Sequence, residues 1–373
     1  MRLLRKLATL FTVAGIGTGV GALPVFAQSV TTSAGVVQLE QMAKGLSTPW
    51  AIGLLPDGSF LVTERRGRLI YVADGTQTRV KGVPKVRAKG QGGLLDVTVA
   101  RDFAQSRQIF LTYTKDQPGR ASGTAMAVAT LSSDAQQLSR LTPLFEAAPI
   151  GQTGRHFGSR VVEAHDRTLF VTIGDRGDRS SAQDLSNHNG SIVRVNRQGQ
   201  VPNSNPFVGQ TGVQPHIWSY GHRNPQGAAL DLQGNLWTSE HGAKGGDEVN
   251  LIRKGENFGW PEISYGVHYS GPKIGSGTSK PGMQQPLHYW DPSIAPSGLM
   301  IYSGKLWPQW RGELFVGSLK YDHIARLSGR PLRQREQIKG RQIQRVRDIV
   351  EAPDGAIWFI SESSGSVWRM TPG

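Results

Sequence analysis

Six short segments of alternating apolar residues recur along the chain, at residues 59–63, 108–114, 167–173, 235–240, 313–317 and 356–361. Five of them follow directly on a turn signal: Pro56-Asp57-Gly58, His165-Asp166, Gln233-Gly234, Arg311-Gly312 and Pro353-Asp354-Gly355. Aspartate, proline and glycine are turn residues, so each segment reads as a strand that follows a turn. A unit of this kind cannot bury both faces alone, so its copies must stack. The units begin roughly 40 to 80 residues apart, too unevenly for a solenoid. Radial repetition fits better: an all-β, six-bladed β-propeller of four-stranded antiparallel blades, each unit supplying one strand of a blade. Residues 36–42 are expected to add a strand to the final blade and close the ring. A ring also places residues distant in sequence around one axis, so the active site is expected there, on the loop face.

Composition agrees with turn-rich β structure. There are 47 glycines and 21 prolines, yet β-branched and aromatic residues recur throughout and no long helical periodicity stands out. The alternative, two stacked β-sandwiches, would want a linker, and no shift in composition marks one. Residues 1–27 read differently. Arg2, Arg5 and Lys6 precede an apolar stretch at 7–20 and then Val25-Phe26-Ala27, the pattern of a cleavable export signal. Residues 28–373 are then the mature domain, in a bacterial periplasm, and no later segment has the length of a membrane span. The chain has no cysteine, which excludes disulfides, thiolate metal sites and cysteine nucleophiles. Its net charge is +14, of which three charges lie in the leader, leaving +11. The basic residues are scattered apart from a rise near 330–347, and no nucleic-acid module accompanies them.

Chemistry is expected where polar turns meet strand ends. His156, in Arg155-His156-Phe157-Gly158-Ser159-Arg160, just precedes the strand expected at Val161–Glu163. Asp175, in Gly174-Asp175-Arg176-Gly177-Asp178, ends the next one. If the two strands are antiparallel neighbours, Asp175 can face His156, fix its tautomer and raise the basicity of the other ring nitrogen. Arg223 and Asn224, in a dense polar turn at 221–227, suit a planar anion. Glycine-rich turns at 245–250 and 255–261 offer carboxylates and carbonyls of the kind Ca2+ prefers, although the spacing is not that of an EF-hand. Lys320, Arg345 and Arg347 sit beside expected strands, the two arginines at i and i+2 and so on one face. Such cations want either solvent or a polyanion. Each of these features alone is more simply read as an ordinary turn or a solvated charge.

Together they resemble the soluble quinoprotein glucose/sorbosone dehydrogenases, most closely the aldose sugar dehydrogenase branch. The resemblance runs from Gly45-Leu46-Ser47-Thr48-Pro49-Trp50-Ala51 and Thr63-Glu64-Arg65-Arg66-Gly67, through Gly90-Gln91-Gly92-Gly93-Leu94-Leu95-Asp96 and residues 156–160, 173–177, 190–194 and 220–227. It ends with Glu240-His241-Gly242 and residues 245–250, 257–261, 292–298 and 345–348. It implies a six-bladed propeller holding pyrroloquinoline quinone (PQQ), a planar tricarboxylate, together with Ca2+. It further implies that Gln91, Arg223, Asn224, Lys320, Arg345 and Arg347 hold the cofactor and that Tyr269 flanks it. His156 would be the base that takes the proton of the anomeric hydroxyl, with Asp175 as its partner and Arg223 stabilising charge on the quinone. Glu248 and the carbonyl of Phe258 match a Ca2+ site of the aldose branch, and a second Ca2+ is expected on carbonyls near residues 242–245. The implied reaction is oxidation of an aldose at C1 to the lactone, with electrons leaving to an external acceptor. Apart from the resemblance, a monomer is expected. Two other readings compete: a Ca2+-dependent propeller lactonase, and a non-catalytic propeller that binds a glycan or a protein.

Overall fold

The computed structural model describes residues 28–117, 121–148 and 153–373. The leader expected at 1–27 lies outside them. Among the described residues no helix is long and apolar enough to cross a membrane.

Six antiparallel sheets form the blades of a propeller. Blade 1 comprises Pro49–Leu54, Phe60–Glu64, Arg68–Ala73 and Thr76–Val80. Blade 2 comprises Leu94–Val99, Gln108–Asp116, Ser122–Leu131 and Leu138–Glu146. Blade 3 follows with Val161–Glu163, Leu169–Thr172, Ser191–Val195 and Ile217–Tyr220, and blade 4 with Pro225–Leu230, Leu236–Glu240, Asp247–Leu251 and His288–Trp290. Blade 5 comprises Pro296–Ile301, Leu314–Ser318, Ile324–Ser328 and Arg333–Ile338. Blade 6 takes Val346–Glu351, Ile357–Ser361 and Ser366–Pro372 from the C-terminus. Its remaining strands, Gly35–Ala43 and Gln28–Thr32, come from the other end of the chain, with Leu39 opposite Met370. The expected closure therefore forms.

The six units read from the sequence are the second strands of the six blades. Their turns share one cause. Asp57, Asp166, Asp231 and Asp354 each accept, through Oδ1, the backbone N–H two residues on, at 2.9–3.0 Å. This Asx turn precedes the strand in all four blades; the strand starts at Phe60, Leu169 and Ile357, three residues after the aspartate, in blades 1, 3 and 6, and at Leu236, five after it, in blade 4. Period-2 alternation understates these strands, because Phe60–Glu64, Leu314–Ser318 and Ile357–Ser361 are buried at every position. A blade is covered on both faces by its neighbours, so each face must be apolar. Each of the six blade interfaces has its own core; Phe60, Val62, Trp358 and Ile360 between blades 6 and 1 are typical.

The innermost strands surround the axis, and five of them are irregular at their N-terminal ends. Register shifts fall between Pro49 and Ala51, Leu94 and Val97, Pro225 and Gly227, Pro296 and Leu299, and Val346 and Ile349. A bulge of this kind turns a side chain out of the pleat. Second-strand threonines accept N–H groups at these ends: Thr63 Oγ1 from Ala51 and Thr112 Oγ1 from Asp96 within bulges, and Thr172 Oγ1 from Arg160 just before the regular inner strand of blade 3, each at 3.0 Å. Midway along the axis Arg160 donates to Asp96 (2.8 Å) and pairs with Asp348 (3.0 Å), tying blades 2, 3 and 6. This buried triad separates two cavities. One is lined by the C-terminal halves of the inner strands, the other by their bulged N-terminal ends.

Candidate active site

The bulges aim Trp50, Leu95, Gln226 and Arg347 into the cavity at the N-terminal ends, which encloses about 620 Å3 of empty space, part of it open to solvent. Arg65, Gln91, Asn224, His241 and Arg345 complete its polar lining. Three guanidinium groups thus meet there. The carboxylate that answers them is Glu362, which accepts from Arg347 Nε at 2.9 Å and Arg345 Nε at 3.2 Å. Burial lowers the pKa of Arg347, and Arg345 and Arg65 lower it further against the pull of Glu362. The pocket is short of negative charge.

Arg345 and Arg347 converge for a reason other than the expected one. Arg345 has φ 44° and precedes the strand, and Arg347 lies within the bulge, so strand periodicity does not align them. Their shared anchor on Glu362 does.

Beside this pocket, His156 Nδ1 and Asp175 Oδ1 are 2.6 Å apart. The strands that carry them, Val161–Glu163 and Leu169–Thr172, are antiparallel neighbours, as the sequence argument required. His156 adopts φ 55°, and its N–H donates to Gln91 Oε1 at 2.7 Å. Gly174 makes the approach possible, since a Cβ there would lie 2.3 Å from the His156 carbonyl oxygen. Asp175 is buried and fully used: Oδ1 also accepts from Gly177 N–H (2.7 Å), and Oδ2 accepts from Trp260 Nε1 (2.9 Å). Burial opposes its charge, but His156, Gly177 and Arg223 outweigh that and hold the carboxyl below its ordinary range. His156 is lowered from its ordinary value, first by burial and then by Arg223, with Asp175 opposing. A neutral imidazole with Nδ1–H on Asp175 leaves Nε2 as a free acceptor, the state a general base needs.

Arg223 is also buried. Its N–H donates to Glu240 Oε2 (2.8 Å), Nη1 donates to the His241 carbonyl (3.2 Å), and Nε has no partner among the described residues. Its guanidinium lies 5.3 Å from the Trp260 ring. Asn224 Oδ1 accepts from Gly158 N–H at 3.2 Å and from Gln226 Nε2 at 3.3 Å. His241 is held at about 3 by burial and by Arg223 and Arg347, and its buried Nε2 lacks a partner. His241 lines the pocket and Arg223 the adjoining space, so two buried polar atoms without a partner among the described residues, His241 Nε2 and Arg223 Nε, lie on residues that line them, as a polar ligand site would show.

Next to it, Glu240 and Glu248 are paired residues on adjacent strands. Asn250 Nδ2 donates to both, at 3.0 Å each, while its own buried Oδ1 has no partner among the described residues. Burial and the nearness of Glu240 raise Glu248 to about 8. Phe258 lines the same space, and among the described residues no hydrogen bond reaches its carbonyl. At Gly242, a Cβ would lie 2.2 and 2.3 Å from the carbonyl oxygens of Gly245 and Gly246, so two acceptors crowd against a bare glycine.

The structure therefore gathers Gln91, His156, Asp175, Arg223, Asn224, Arg345 and Arg347 around one pocket, with Glu248 and Phe258 in the adjoining space. It does not bring in the other two. Tyr269 is 72 % exposed on its loop, and Lys320 is exposed with Nζ 4.8 Å from the Tyr321 ring. Arg65, Gln226, Trp260, Glu240 and His241 lie in the segments that carried the resemblance but were given no role, and Glu362 escaped the sequence reading altogether. Arg65 and His241 directly follow second strands, at the same end as the pocket, and that position was the available signal.

The Glucose / Sorbosone dehydrogenase family model matches residues 46–369. Aldose sugar dehydrogenase YliI of Escherichia coli (strain K12) is 40% identical over 345 residues, covering 90% of this chain and 93% of that protein. The crystal structure of the soluble aldose sugar dehydrogenase (Asd) from Escherichia coli, in its apo form, matches with a TM-score of 0.87 over 90% of this chain and 100% of that one. Quinoprotein glucose dehydrogenase B of Acinetobacter calcoaceticus is 27% identical over 410 residues, covering 87% of this chain and 85% of that protein.

Proposed function

Given that the chain belongs to the glucose/sorbosone dehydrogenase family, we propose that it is a periplasmic quinoprotein that oxidises aldoses at C1 to the lactone, with PQQ and Ca2+ as resident groups and an external electron acceptor. The observation that carries this reading is the His156–Asp175 pair (2.6 Å) beside a pocket with three arginines and one carboxylate.

The donor set fits a planar tricarboxylate. Arg65, Arg345 and Arg347 supply the charge it lacks, and Asn224 and Gln91 add neutral polar groups. His241 Nε2 and Arg223 Nε, both orphaned, would gain partners. Glu248 and the Phe258 carbonyl suit a hard cation, as do the carbonyls crowded at Gly242. When bound, the quinone supplies a two-electron acceptor for the hydride of the sugar C1.

The remaining work falls to the protein. His156 Nε2 accepts the proton of the anomeric hydroxyl, and Asp175 holds the ring in the tautomer that allows it and stabilises the imidazolium formed. Arg223, fixed by Glu240 and stacked near Trp260, presents positive charge where negative charge develops. Trp260 holds the far oxygen of Asp175, so the dyad and the Arg223 side chain share one support.

The test is reconstitution. Purified protein stripped of metal and cofactor is mixed with PQQ, Ca2+ and glucose, and reduction of an electron-accepting dye is followed. Bleaching that needs both additions is expected, and His156→Ala should bind PQQ yet lose turnover by ~10²- to 10⁴-fold. Lactone hydrolysis without the quinone, or full turnover in the His156 variant, would overturn the reading.

A further inference from the structure

We propose that Glu240 is a shared carboxylate: it completes the metal site with Glu248 and, through its hydrogen bond to Arg223, couples metal binding to cofactor binding. This rests on the quinoprotein reading above.

The geometry is one continuous chain. Glu240 is 4 % exposed and ends the second strand of blade 4. Its Oε2 accepts the backbone N–H of Arg223, the first residue of the Arg223-Asn224 turn. Its Oε1 accepts from His222 Nδ1 at 3.0 Å, and His222 Nε2 is 2.9 Å from Ser219 Oγ. The His222 ring stacks on Phe258 at 4.6 Å between centroids. One carboxylate thus holds two successive residues of the turn that enters the pocket, and one of those packs against Phe258, which lines the metal space.

The other end of the chain points to a cation. Asn250 Nδ2 lies 3.0 Å from Glu240 Oε1 and 3.0 Å from Glu248 Oε2, so those oxygens are at most about 6 Å apart. Two buried carboxylates lie this close, and among the described residues no Lys or Arg side chain forms an ion pair with either. The Asn250 Oδ1 atom, on a side chain 1 % exposed, has no partner among the described residues. Glu240 Oε2 keeps a second lone pair beyond Arg223, and Glu248 Oε1 and the Phe258 carbonyl accept no hydrogen bond among the described residues. Two negative charges and two neutral carbonyl acceptors match a divalent, oxygen-seeking ion. With a cation in place Glu240 Oε2 is fixed on the side that anchors Arg223; without it that anchor rests on the hydrogen bonds of Glu240 alone. Linkage then requires that Ca2+ tighten quinone binding and that the quinone tighten Ca2+ by the same factor.

The experiment uses the full-length mature protein freed of metal. Ca2+ affinity is measured by calorimetry without quinone, and PQQ affinity by tryptophan quenching with and without Ca2+. Circular dichroism checks that Glu240→Gln, Glu240→Asp and Glu248→Gln are folded. In the wild type Ca2+ should raise PQQ affinity ~5- to 150-fold, the usual range of coupling. Glu248→Gln should lose at least tenfold in Ca2+ affinity but bind PQQ in chelator as the wild type does. Glu240→Gln should lose at least tenfold in Ca2+ affinity, bind PQQ more weakly even in chelator, and show a smaller Ca2+ effect. Glu240→Asp, which keeps the charge but not the reach, should recover Ca2+ affinity more than PQQ affinity. Wild-type Ca2+ affinity in Glu240→Gln overturns the metal role, and an unchanged Ca2+ effect on PQQ overturns the coupling. If PQQ binds none of the forms while the Ca2+ results hold, the quinoprotein reading and the coupling fall, and Glu240 stands as a metal ligand.

Discussion

Replacing Asp175 by asparagine changes one atom and separates the two jobs given to this residue. The carboxylate receives three donors: His156 Nδ1 and Gly177 N–H at Oδ1, and Trp260 Nε1 at Oδ2. An asparagine offers one oxygen. If that oxygen stays towards His156, the NH2 group faces Trp260 Nε1, donor against donor, and a buried donor goes unpaired at a cost of about 1–3 kcal/mol in stability. The imidazolium then loses a charged partner and keeps a neutral one, a difference of about 1–2 kcal/mol, or roughly 5- to 30-fold in rate. If the amide turns over, its NH2 faces His156 Nδ1, the ring proton moves to Nε2, and the base is blocked, which costs up to ~10⁴-fold. Turnover should therefore fall by roughly 5- to 10⁴-fold with PQQ affinity nearly unchanged.

The pH profile sharpens the test. Activity of the wild type should rise with pH as His156 loses its proton, with a midpoint below 6.5, because burial and Arg223 depress that pKa. Asp175 is what opposes the depression, so the variant's midpoint should move lower still while its plateau drops. The assay is dye-coupled turnover between pH 4.5 and 8.5, with stability by urea titration. A variant that regains wild-type turnover at high pH would mean that Asp175 acts only as a distant charge, and the tautomer argument would be wrong.

Three further outcomes follow from the same geometry. Arg347→Ala should weaken PQQ binding about 10- to 150-fold, the value of a buried charged hydrogen bond, and Arg345→Ala less, since that side chain is 43% exposed; equal affinities in equilibrium titration would refute the polyanion pocket. Gly174→Ala drives a Cβ to 2.3 Å from the His156 carbonyl oxygen, so turnover should fall about 10²-fold or more from displacement of the base, and normal turnover would show that the segment gives way freely. His188 is held at about 3 by burial and by His216. Its pKa is lower folded than unfolded, so its contribution to stability is complete above about pH 6.5 and is lost as pH falls. Between pH 7 and 5 the loss from this group should be about 2 kcal/mol, and urea titrations of His188→Gln should show that much less acid sensitivity than the wild type.

What the sequence disclosed and what it hid divide along one physical line. The second strands were legible because apolar alternation follows a turn signal, and at Asp57, Asp166 and Asp354 that signal is a local side-chain bond to the backbone. His156 and Asp175 could be paired because the strands that carry them are adjacent and joined by a short turn, so local antiparallel geometry was enough. The inner strands were opaque. Their N-terminal ends are bulged, and a bulge breaks the alternation that sequence reading relies on. Arg347 and Gln226 reach the pocket from inside such bulges, and Arg345 reaches it from a left-handed residue just before one. Glu362 was invisible for another reason: its importance lies in what it anchors, and only the fold shows that both arginines end on it. Tyr269 and Lys320 were assigned by resemblance, and both stand in solvent.

The axis itself explains why chemistry collects at one end. Arg160, Asp96 and Asp348 close it midway, with Asp348 Oδ2 also accepting from Ile52 N–H. Beyond this stopper the inner strands run regularly, and the cavity they enclose is lined in part by Val97, Val99, Val161, Leu299 and Ile349. Arg101 also lines it, with Glu163 and Glu351 as opposing carboxylates, so no unbalanced positive charge collects there. On the other side the bulges release backbone groups, and second-strand threonines, turn residues and glycine-lined approaches satisfy them. That irregularity is what lets arginine, histidine and glutamine side chains from different blades turn towards one point. The triad keeps the two environments apart: its two carboxylates and one guanidinium bond one another and nearby backbone, so the stopper adds no free cation to the pocket above. The unbalanced positive charge of the axis therefore lies wholly on the side that holds His156.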